Sequence, residues 1–260
     1  MKIARMPYIN VDPFFYTLEY EKEEPLINLV SVYPRRMGEL AHRKDALDAG
    51  TISVMDFLKL QDTYEPLDKL CVAVKSKAGS VTLFSKAPLE KLKLRKIGIT
   101  NQTSTSKVLL RIILENRYGI SSIEYIDNPE PDNVDAYLFI GNAALTYTHI
   151  GLKGFKYIYD IGEEWYKWTG LPFVFAIWAV NKNMKKPDRQ RLIGILSASL
   201  DVFGKYEKSM AKKRAAELSL SPSIIEDYWH LFIYRQTETV DKSLELFISY
   251  VKRIKEVWHG

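Results

Sequence analysis

The sequence predicts an α/β fold with mixed or parallel sheets arranged in two lobes. Apolar runs without polar alternation, such as Phe173–Val180, are typical of strands that helices cover on both faces. Segments with helical spacing, such as 107–118, lie between these runs, and this alternation is typical of α/β proteins. From Asp188 onward the pattern is helical almost throughout, which places a helical section after the sheets.

The chain opens with a predicted strand, a loop and a helix. Lys2–Met6 is short and partly apolar, and Pro7 ends it. Asp12-Pro13 predicts a helix start, because aspartate accepts hydrogen bonds from free N–H groups and proline fits the first turn. The helix is predicted over 14–21, so Asn10 falls in the loop just before a helix N-terminus.

Apolar composition predicts the other elements. Strands are expected at 29–33, 70–74, 80–85, 96–99, 136–140, 157–160 and 173–180. Helices are expected at 107–118, which Gly119 ends, at 142–147, and after Ser221-Pro222. A long terminal helix carries an apolar stripe made by Val240, Leu244, Phe247, Ile248, Val251, Ile254 and Trp258.

Composition and missing motifs exclude several classes of protein. Hydrophobic residues make up 47% and charged residues 27%, which excludes intrinsic disorder, and the single cysteine excludes a disulfide scaffold. The sequence has no G-x-x-x-x-G-K-[ST], G-x-G-x-x-G or G-x-S-x-G motif. Its four histidines lack metal-ligand spacing, so we expect no metal and no cofactor.

Charge and hydropathy restrict the partners and the location. The net charge of +5 favours anionic partners in general, but the basic clusters are separated and mixed with acidic residues, which argues against nucleic acid. Arg5 and Pro7 interrupt the segment where a secretory signal needs about 7–15 apolar residues. The longest apolar run, 173–180, is far shorter than the ~18 residues of a membrane span. We therefore expect a cytoplasmic protein with no membrane partner.

Three corners between predicted elements carry side chains that suit an anionic ligand. Thr103-Ser104-Thr105-Ser106 precedes a helix and makes either a carboxylate or phosphate site or a plain N-cap. Gly79-Ser80 offers an N–H and a hydroxyl to a ligand, or forms a simple turn. Gly141-Asn142-Ala143 faces an anion or makes a tight turn with an asparagine cap. Such corners line a cleft in α/β sheets, so the predicted ligand is small and anionic.

Six segments, in order along the chain, carry a resemblance to a known family. They are Met6-Pro-Tyr-Ile-Asn10-Val-Asp-Pro-Phe-Phe15, Asp48-Ala-Gly-Thr-Ile-Ser53, Gly79-Ser-Val-Thr-Leu-Phe-Ser85, Thr103–Ser106, Ile140–Leu145, and Asp160–Trp165 with Trp168–Trp178. Together they resemble chorismate dehydratase, the first enzyme of the futalosine route to menaquinone. The resemblance spans nearly the whole chain.

The resemblance implies a fold and a reaction. The fold is like that of periplasmic binding proteins of type II, with two α/β lobes and a ligand cleft between them. We expect lobe 1 to comprise 1–78 and 177–260, including the C-terminal helices, and lobe 2 to comprise 79–176. The chain would cross between them near 74–79 and 173–179. The implied reaction is that of a hydro-lyase, in which chorismate loses water and gives 3-[(1-carboxyvinyl)oxy]benzoate.

The resemblance also implies roles for individual residues. Asn10 and Ser80 match substrate-contacting residues, and we expect them to be catalytic. Thr105 and Ser106 match a helix-start pair that would hold a carboxylate. The other expected substrate-binding residues are Ser53, Gly79, Thr103, Asn142, Thr169 and Gly170.

Two positions depart from the family pattern, and the matched segments offer no obvious histidine or lysine base. Val54 follows Ser53 where the family has a second serine, so one hydroxyl is missing. Asn142 replaces a residue that is often aspartate, which threatens activity if that aspartate is a base but not if it only caps a helix. We expect the enolpyruvyl carboxylate of the substrate to take the ring proton, with Asn10 orienting it and Ser80 hydrogen-bonding nearby.

Two alternative functions stay open. One is a non-catalytic protein of the same fold that binds a small carboxylate, although such receptors are normally exported. The other is the sister lyase that acts on cyclic dehypoxanthine futalosine, although Met6–Phe15 does not reproduce its Pro-x-Pro-Asn-Asp-type loop. The partner that we expect is a small dicarboxylate, chorismate.

Overall fold

A computed structural model describes residues 1–21, 27–41, 43, 47–91 and 95–254. Its strands are β1 (Lys2–Arg5), β2 (Asn28–Ser31), β3 (Ala49–Ser53), β4 (Tyr64–Val74), β5 (Val81–Ser85), β6 (Lys96–Ile99), β7 (Glu124–Asp127), β8 (Ala136–Ile140), β9 (Tyr157–Asp160), β10 (Phe173–Asn181) and β11 (Phe232–Arg235). Its α-helices are α1 (Asp12–Tyr16), α2 (Pro34–Ala41), α3 (Val54–Leu60), α4 (Thr105–Ile112), α5 (Gly141–Ile150), α6 (Ile161–Thr169), α7 (Lys186–Leu218), α8 (Pro222–Trp229) and α9 (Glu238–Arg253). Wider helical turns continue α1 over Thr17–Glu21 and α4 over Ile113–Arg117.

The chain divides into two units. Unit 1 comprises Met1–Val72 and Phe175–Arg235, and unit 2 comprises Ala73–Val174 and Gln236–Gly260. The chain therefore passes from one unit to the other inside β4, inside β10 and directly after β11. The first two passages lie close to the expected crossings. The third differs from the expectation, because α9 belongs to unit 2 and not to the lobe that contains the N-terminus.

Unit 1 is built on a mixed sheet with the strand order β11-β4-β10-β3-β1-β2. Strand β1 runs parallel to β2 and β3, and β10 runs antiparallel to β3. All five residues of β3 are buried. A Cβ at Gly50 would lie 2.7 Å from the Cβ of Ala4, so the close approach of β1 and β3 needs glycine at this position.

Helices α1 and α7 cover part of this sheet. The rings of Phe14 and Phe15 lie 5.4 and 5.6 Å from the indole of Trp178 on β10. The N–H of Thr17 donates to Ser199 Oγ on α7 at 3.1 Å. Helix α1 is therefore packed between the sheet and α7. These contacts also restrict the segment that precedes α1.

A buried carboxylate fixes the start of α1. Asp12 is 1% exposed, and its Oδ1 accepts hydrogen bonds from Arg5 Nη2 at 2.7 Å and Arg214 Nη2 at 2.9 Å. Its Oδ2 accepts from Arg214 Nε at 2.8 Å. Burial raises the pKa of Asp12, and the two arginines oppose that shift. This cluster ties β1, α1 and α7 together.

Unit 2 is built on a second mixed sheet with the strand order β7-β6-β8-β5-β9. Strand β6 runs parallel to β7 and β8, whereas β5 runs antiparallel to β8 and β9. The carboxyl ends of β6, β8 and β9 therefore lie at one edge, beside the amino end of β5. Helices α4, α5 and α6 all begin at this edge.

The core of unit 2 includes residues of α9. The rings of Trp165 and Phe173 lie 5.4 Å apart, and Phe247 of α9 lies 5.1 Å from Phe173. Trp165 Nε1 donates to Ser243 Oγ on α9 at 3.1 Å, and Ser243 Oγ donates to the carbonyl of Pro172. The predicted apolar stripe is thus confirmed for the described part of α9, and Trp258 lies outside the described residues.

Most of the predicted elements are confirmed by the described residues. Strands β1, β2, β5, β6, β8, β9 and β10 lie within a residue or two of their predicted ranges, and β4 is longer than predicted. The sequence analysis missed β3, β7 and β11, together with α2 and α3. None of the helices in the described ranges combines the length and the apolar character that crossing a membrane requires.

Candidate functional site

In unit 2, Ser80 and Asn142 meet at the edge of the sheet where α5 begins. Val81 of β5 pairs with Ile140 of β8, and Gly141 N donates to the carbonyl of Ser80 at 2.8 Å. Ser80 is 2% exposed. Asn142 is the second residue of α5 and does not occupy the N-cap position, so the alternative of an asparagine cap is not met.

The turn from Thr103 to Ser106 follows β6 at the same edge. Strand β6 pairs in parallel with β8, so the segments that follow these two strands lie side by side. Thr103 Oγ1 accepts a hydrogen bond from Ser106 N at 3.2 Å, which resembles an N-cap interaction, whereas Ser104 at the N-cap position of α4 makes no side-chain cap hydrogen bond. Thr105 and Ser106 are 3% and 4% exposed and lie in the first turn of α4. We call Gly79–Ser80, Thr103–Ser106 and Gly141–Asn142 the polar edge.

Asp160, which the sequence analysis did not select, organises the polar edge. Its Oδ1 accepts from Ala78 N and from Glu163 N, both at 2.9 Å, and its Oδ2 accepts from Gly79 N at 2.6 Å. Burial raises the pKa of Asp160, and these backbone N–H groups lower it. The sequence carried a signal for the cap, since an N-cap residue followed three positions later by glutamate is a helix-start pattern.

Thr169 and Gly170 lie at the opposite end of α6 from the polar edge. The nine residues of α6 span about 13 Å at 1.5 Å a residue. Thr169 Oγ1 donates to the carbonyl of Trp165 at 2.9 Å and accepts from Leu171 N at 3.2 Å. Gly170 has a φ of 71° and ends the helix. Both residues have structural roles, and their predicted contact with substrate stays a prediction.

In unit 1, Asn10 lies between β1 and α1, where the structure has a single 3₁₀ turn (Ile9–Val11) instead of the predicted loop. The carbonyl of Ile9 accepts from Trp229 Nε1 at 2.7 Å, and the carbonyl of Asn10 accepts from Tyr234 Oη at 3.0 Å. Asn10 Oδ1 is buried and makes no hydrogen bond within the described ranges. The backbone of Asn10 is therefore held from α8 and β11, while its amide oxygen is available as an acceptor. The sequence analysis did not predict Trp229 and Tyr234, because their contacts with this segment are long-range and no local sequence pattern indicates them.

Ser53 lies at the carboxyl end of β3, which is next to β1 in the sheet, so it shares a sheet edge with Asn10. Its Oγ accepts from Asp56 N at 3.3 Å and donates to Asp56 Oδ2 at 2.7 Å, so Ser53 caps α3. Val54, which replaces the second serine of the family pattern, is 1% exposed. The missing hydroxyl therefore falls on a position that is packed in the core.

The two histidines within the described ranges, His149 and His230, each have a partner of their own. His149 Nδ1 lies 2.9 Å from the carbonyl of Leu145 in the last turn of α5, and His230 is largely exposed beside Glu207. Burial raises the pKa of Tyr234, with smaller contributions from Tyr228 and Asp12, so its hydroxyl is neutral and serves as a donor. His42 and His259 lie outside the described residues. Within the described ranges, no three His, Cys, Asp or Glu residues are grouped so as to hold a metal ion.

Sequence comparison relates the whole chain to one family. A family model described as menaquinone biosynthesis matches residues 1–253. A chorismate dehydratase of Thermus thermophilus is 25% identical to this chain over 262 residues, and the match covers 92% of this chain and 91% of that protein.

Solved structures relate the fold to that of periplasmic binding proteins. A protein from Archaeoglobus fulgidus superposes with a TM-score of 0.78 at 17% identity, covering 98% of this chain and 97% of that one. The alkanesulfonate-binding protein SsuA from Xanthomonas axonopodis pv. citri, bound to MOPS, gives 0.70 at 13% identity, covering 99% and 92%. The periplasmic aliphatic sulphonate binding protein SsuA from Escherichia coli gives 0.64 at 13% identity, covering 97% and 92%. The predicted fold is therefore confirmed.

Proposed function

The chain belongs to the menaquinone biosynthesis family, as its six ordered segments predict, and from this premise we propose that it is a chorismate dehydratase. The proposed hydro-lyase reaction removes water from chorismate and gives 3-[(1-carboxyvinyl)oxy]benzoate. The observation that carries the proposal is the polar edge, where buried hydroxyls and two helix N-termini converge. The similarity to a chorismate dehydratase along 92% of the chain supports it.

The polar edge suits the charge of this substrate. Chorismate carries two carboxylates, and helix N-termini favour negative groups because their first N–H groups point outward and the helix dipole is positive there. We propose that Thr105 and Ser106, in the first turn of α4, hold one of these carboxylates. Asn142 lies at the same edge and is proposed to contact the same ligand. The N–H of Gly79 already donates to Asp160 Oδ2, so Gly79 is proposed to line the site without donating to the ligand.

The proposed mechanism takes its base from the substrate. The enolpyruvyl carboxylate removes the ring proton, and the C–H electron pair forms the new ring double bond. The hydroxyl leaves with the electron pair of its C–O bond and takes the abstracted proton from the resulting carboxylic acid, so that it departs as water. Formation of an aromatic ring provides a large driving force, so orientation and exclusion of water supply most of the catalysis. Asn10 would orient the carboxylate by donating from its amide Nδ2, and Ser80 would hydrogen-bond nearby. Two observations fit this assignment. The Tyr234 hydroxyl is neutral and donates to the carbonyl of Asn10. His149 lies in the last turn of α5, at the end opposite to Asn142.

A direct assay tests the proposed function. Purified protein is incubated with chorismate, the loss of diene absorbance is followed, and the product is identified by mass. Conversion to the enolpyruvyl benzoate is the expected result. Tight binding without conversion would favour the carboxylate-binding protein, and activity restricted to cyclic dehypoxanthine futalosine would favour the sister lyase. Three expectations stay predictions. They are the cytoplasmic location, the lack of a cofactor, and the binding of one substrate molecule by residues of both units.

Replacing Tyr234 with phenylalanine is expected to lower kcat for chorismate by roughly threefold to tenfold, because the Asn10 carbonyl loses its donor and the loop shifts. The matched control is Tyr64→Phe, which removes a hydrogen bond of 2.8 Å from Tyr64 Oη to the carbonyl of Leu47 in the same unit. Each variant should lose about 1 kcal/mol of unfolding free energy. Equal kcat values in the two variants would show that Tyr234 does not act through Asn10.

A further inference from the structure

We propose that Asp160 is a positioning residue that holds Ser80 in place for the reaction, in addition to capping α6. This inference rests on the proposed function, in which Ser80 contacts the substrate. The inference goes beyond that function because Asp160 lies in none of the three corners that suit an anionic ligand. Asp160 would act on the reaction indirectly, through the backbone of Ala78 and Gly79.

The backbone of Ser80 is fixed on both sides. On its N-terminal side, Ala78 N and Gly79 N donate to the carboxylate of Asp160 at 2.9 and 2.6 Å. On its C-terminal side, the carbonyl of Ser80 accepts from Gly141 N at 2.8 Å. Gly79 has a φ of 69°, a backbone conformation that glycine adopts readily and other residues rarely do. The residue before Ser80 therefore has a left-handed backbone conformation, and the hydrogen bond to the Asp160 carboxylate stabilises it.

A cap alone does not need this arrangement. An N-cap needs one acceptor for an N–H in the first turn, and a hydroxyl suffices, as Ser221 of α8 and Thr237 of α9 demonstrate with contacts of 3.4 Å each. Asp160 uses Oδ1 for Glu163 N and keeps Oδ2 for the turn before Ser80. Because both oxygens of the side chain accept hydrogen bonds, Asp160 joins the first turn of α6 to the turn before Ser80.

The packing of α6 brings the carboxylate within reach of the turn. A Cβ at Gly162 would lie 3.1 Å from Ala78 N and from Ala78 Cβ, and 3.2 Å from Val74 Cγ2. The first turn of α6 thus lies directly against the segment that leads to Ser80. Asp160 itself is 8% exposed, so water does not easily replace it as the acceptor.

The test separates the two roles of Asp160 with the variant Asp160→Ser. Serine is a good N-cap and can accept from Glu163 N, but its single oxygen cannot also reach Gly79 N. We expect kcat for chorismate to fall by about tenfold or more, with a smaller change in KM, and the amides of Ala78 and Gly79 to exchange hydrogen faster. The control is Thr237→Ala, which removes the cap of α9 in the same unit and touches no residue of the polar edge. Its kcat should equal that of the wild type at a similar loss of Tm.

Each failure of this experiment has its own signature. If the wild-type protein converts chorismate and Asp160→Ser has the same kcat, the inference is overturned and the proposed function stands. An equal fall of kcat in Thr237→Ala also overturns it, because the loss would then follow stability alone. A wild-type protein that does not convert chorismate overturns the proposed function and, with it, the role of Asp160 in the reaction.

Discussion

Alanine in place of Asn10 or of Ser80 is expected to lower the turnover number for chorismate by at least about tenfold, which corresponds to about 1.4 kcal/mol of activation free energy. Ser80 is 2% exposed at the polar edge, and Asn10 carries a buried amide oxygen without a partner in the described ranges. A carboxylate needs a donor, so Asn10 would act on it through Nδ2, while its Oδ1 is an acceptor. Hydrogen bonds at such buried sites act on the reacting groups without competition from water, so each loss falls on kcat.

The rates are measured from the loss of diene absorbance, and circular dichroism verifies that each variant is folded. Two exposed residues give matched controls, namely Asn183→Ala in unit 1 and Ser121→Ala in unit 2, which should keep wild-type rates. Near wild-type rates in both Asn10→Ala and Ser80→Ala would contradict the proposed roles. A loss in only one of them would assign catalysis to that residue and remove the other from the mechanism.

Removal of the Asp12 carboxylate is expected to have the largest effect on stability. Asp12→Ala removes the carboxylate that Arg5 and Arg214 share, although the two side chains are only 12% and 15% exposed. Each arginine keeps another acidic partner, Glu19 for Arg5 and Glu217 for Arg214. Breaking a buried ion pair costs up to about 3–5 kcal/mol, and we expect the loss to approach that range. Because Asp12 also fixes the start of α1 two residues after Asn10, the variant should lose activity as well.

Chemical denaturation measures this loss of stability. Asp201→Ala is the control, because it breaks an aspartate–arginine pair of the same 2.7 Å length between two exposed side chains, Asp201 and Arg235, of unit 1. Exposed pairs contribute about 0–1 kcal/mol, so the two variants should differ several-fold in the free energy of unfolding. Similar losses in Asp12→Ala and Asp201→Ala would mean that burial does not strengthen the Asp12 cluster.

Some of the strands that the sequence predicted contain continuous apolar runs, such as β8 and β10. Strand β3 has no such run, since Ala49–Ser53 consists of small and polar residues around one isoleucine. It is a strand because it lies between β1 and β10, where Gly50 allows the backbone of β1 to come close. That reason is tertiary, so local propensity gives no sign of it.

The apolar stripe of α9 illustrates the same limit. Its spacing predicts a helix with one buried face, and Val240, Phe247 and Val251 are buried as expected. The spacing carries no information about the partner of that face. The stripe packs against Trp165 and Phe173 of unit 2, whereas the sequence analysis had placed the whole C-terminal section in the first lobe.

The candidate site was predictable where a residue lies in a distinctive corner. Ser80 and the turn from Thr103 to Ser106 are predicted as site residues because glycine and hydroxyl residues follow or precede predicted strands, and their contact with a ligand stays a prediction. Asp160 and Tyr234 were not found, because each acts on a segment that lies far away in the sequence, at separations of 81 and 224 residues. Hydrogen bonds of this range are set by topology and leave no local pattern.

Because α9 completes the core of unit 2, residues 73–174 cannot reach their native packing on the ribosome until the chain beyond residue 235 has emerged. A nascent chain that stops there leaves the indole of Trp165 without Ser243 and the ring of Phe173 without Phe247. These aromatic faces are then open to chaperones and to aggregation. We therefore expect that a protein truncated after residue 235 is insoluble when it is expressed, although it contains every strand of the unit 2 sheet.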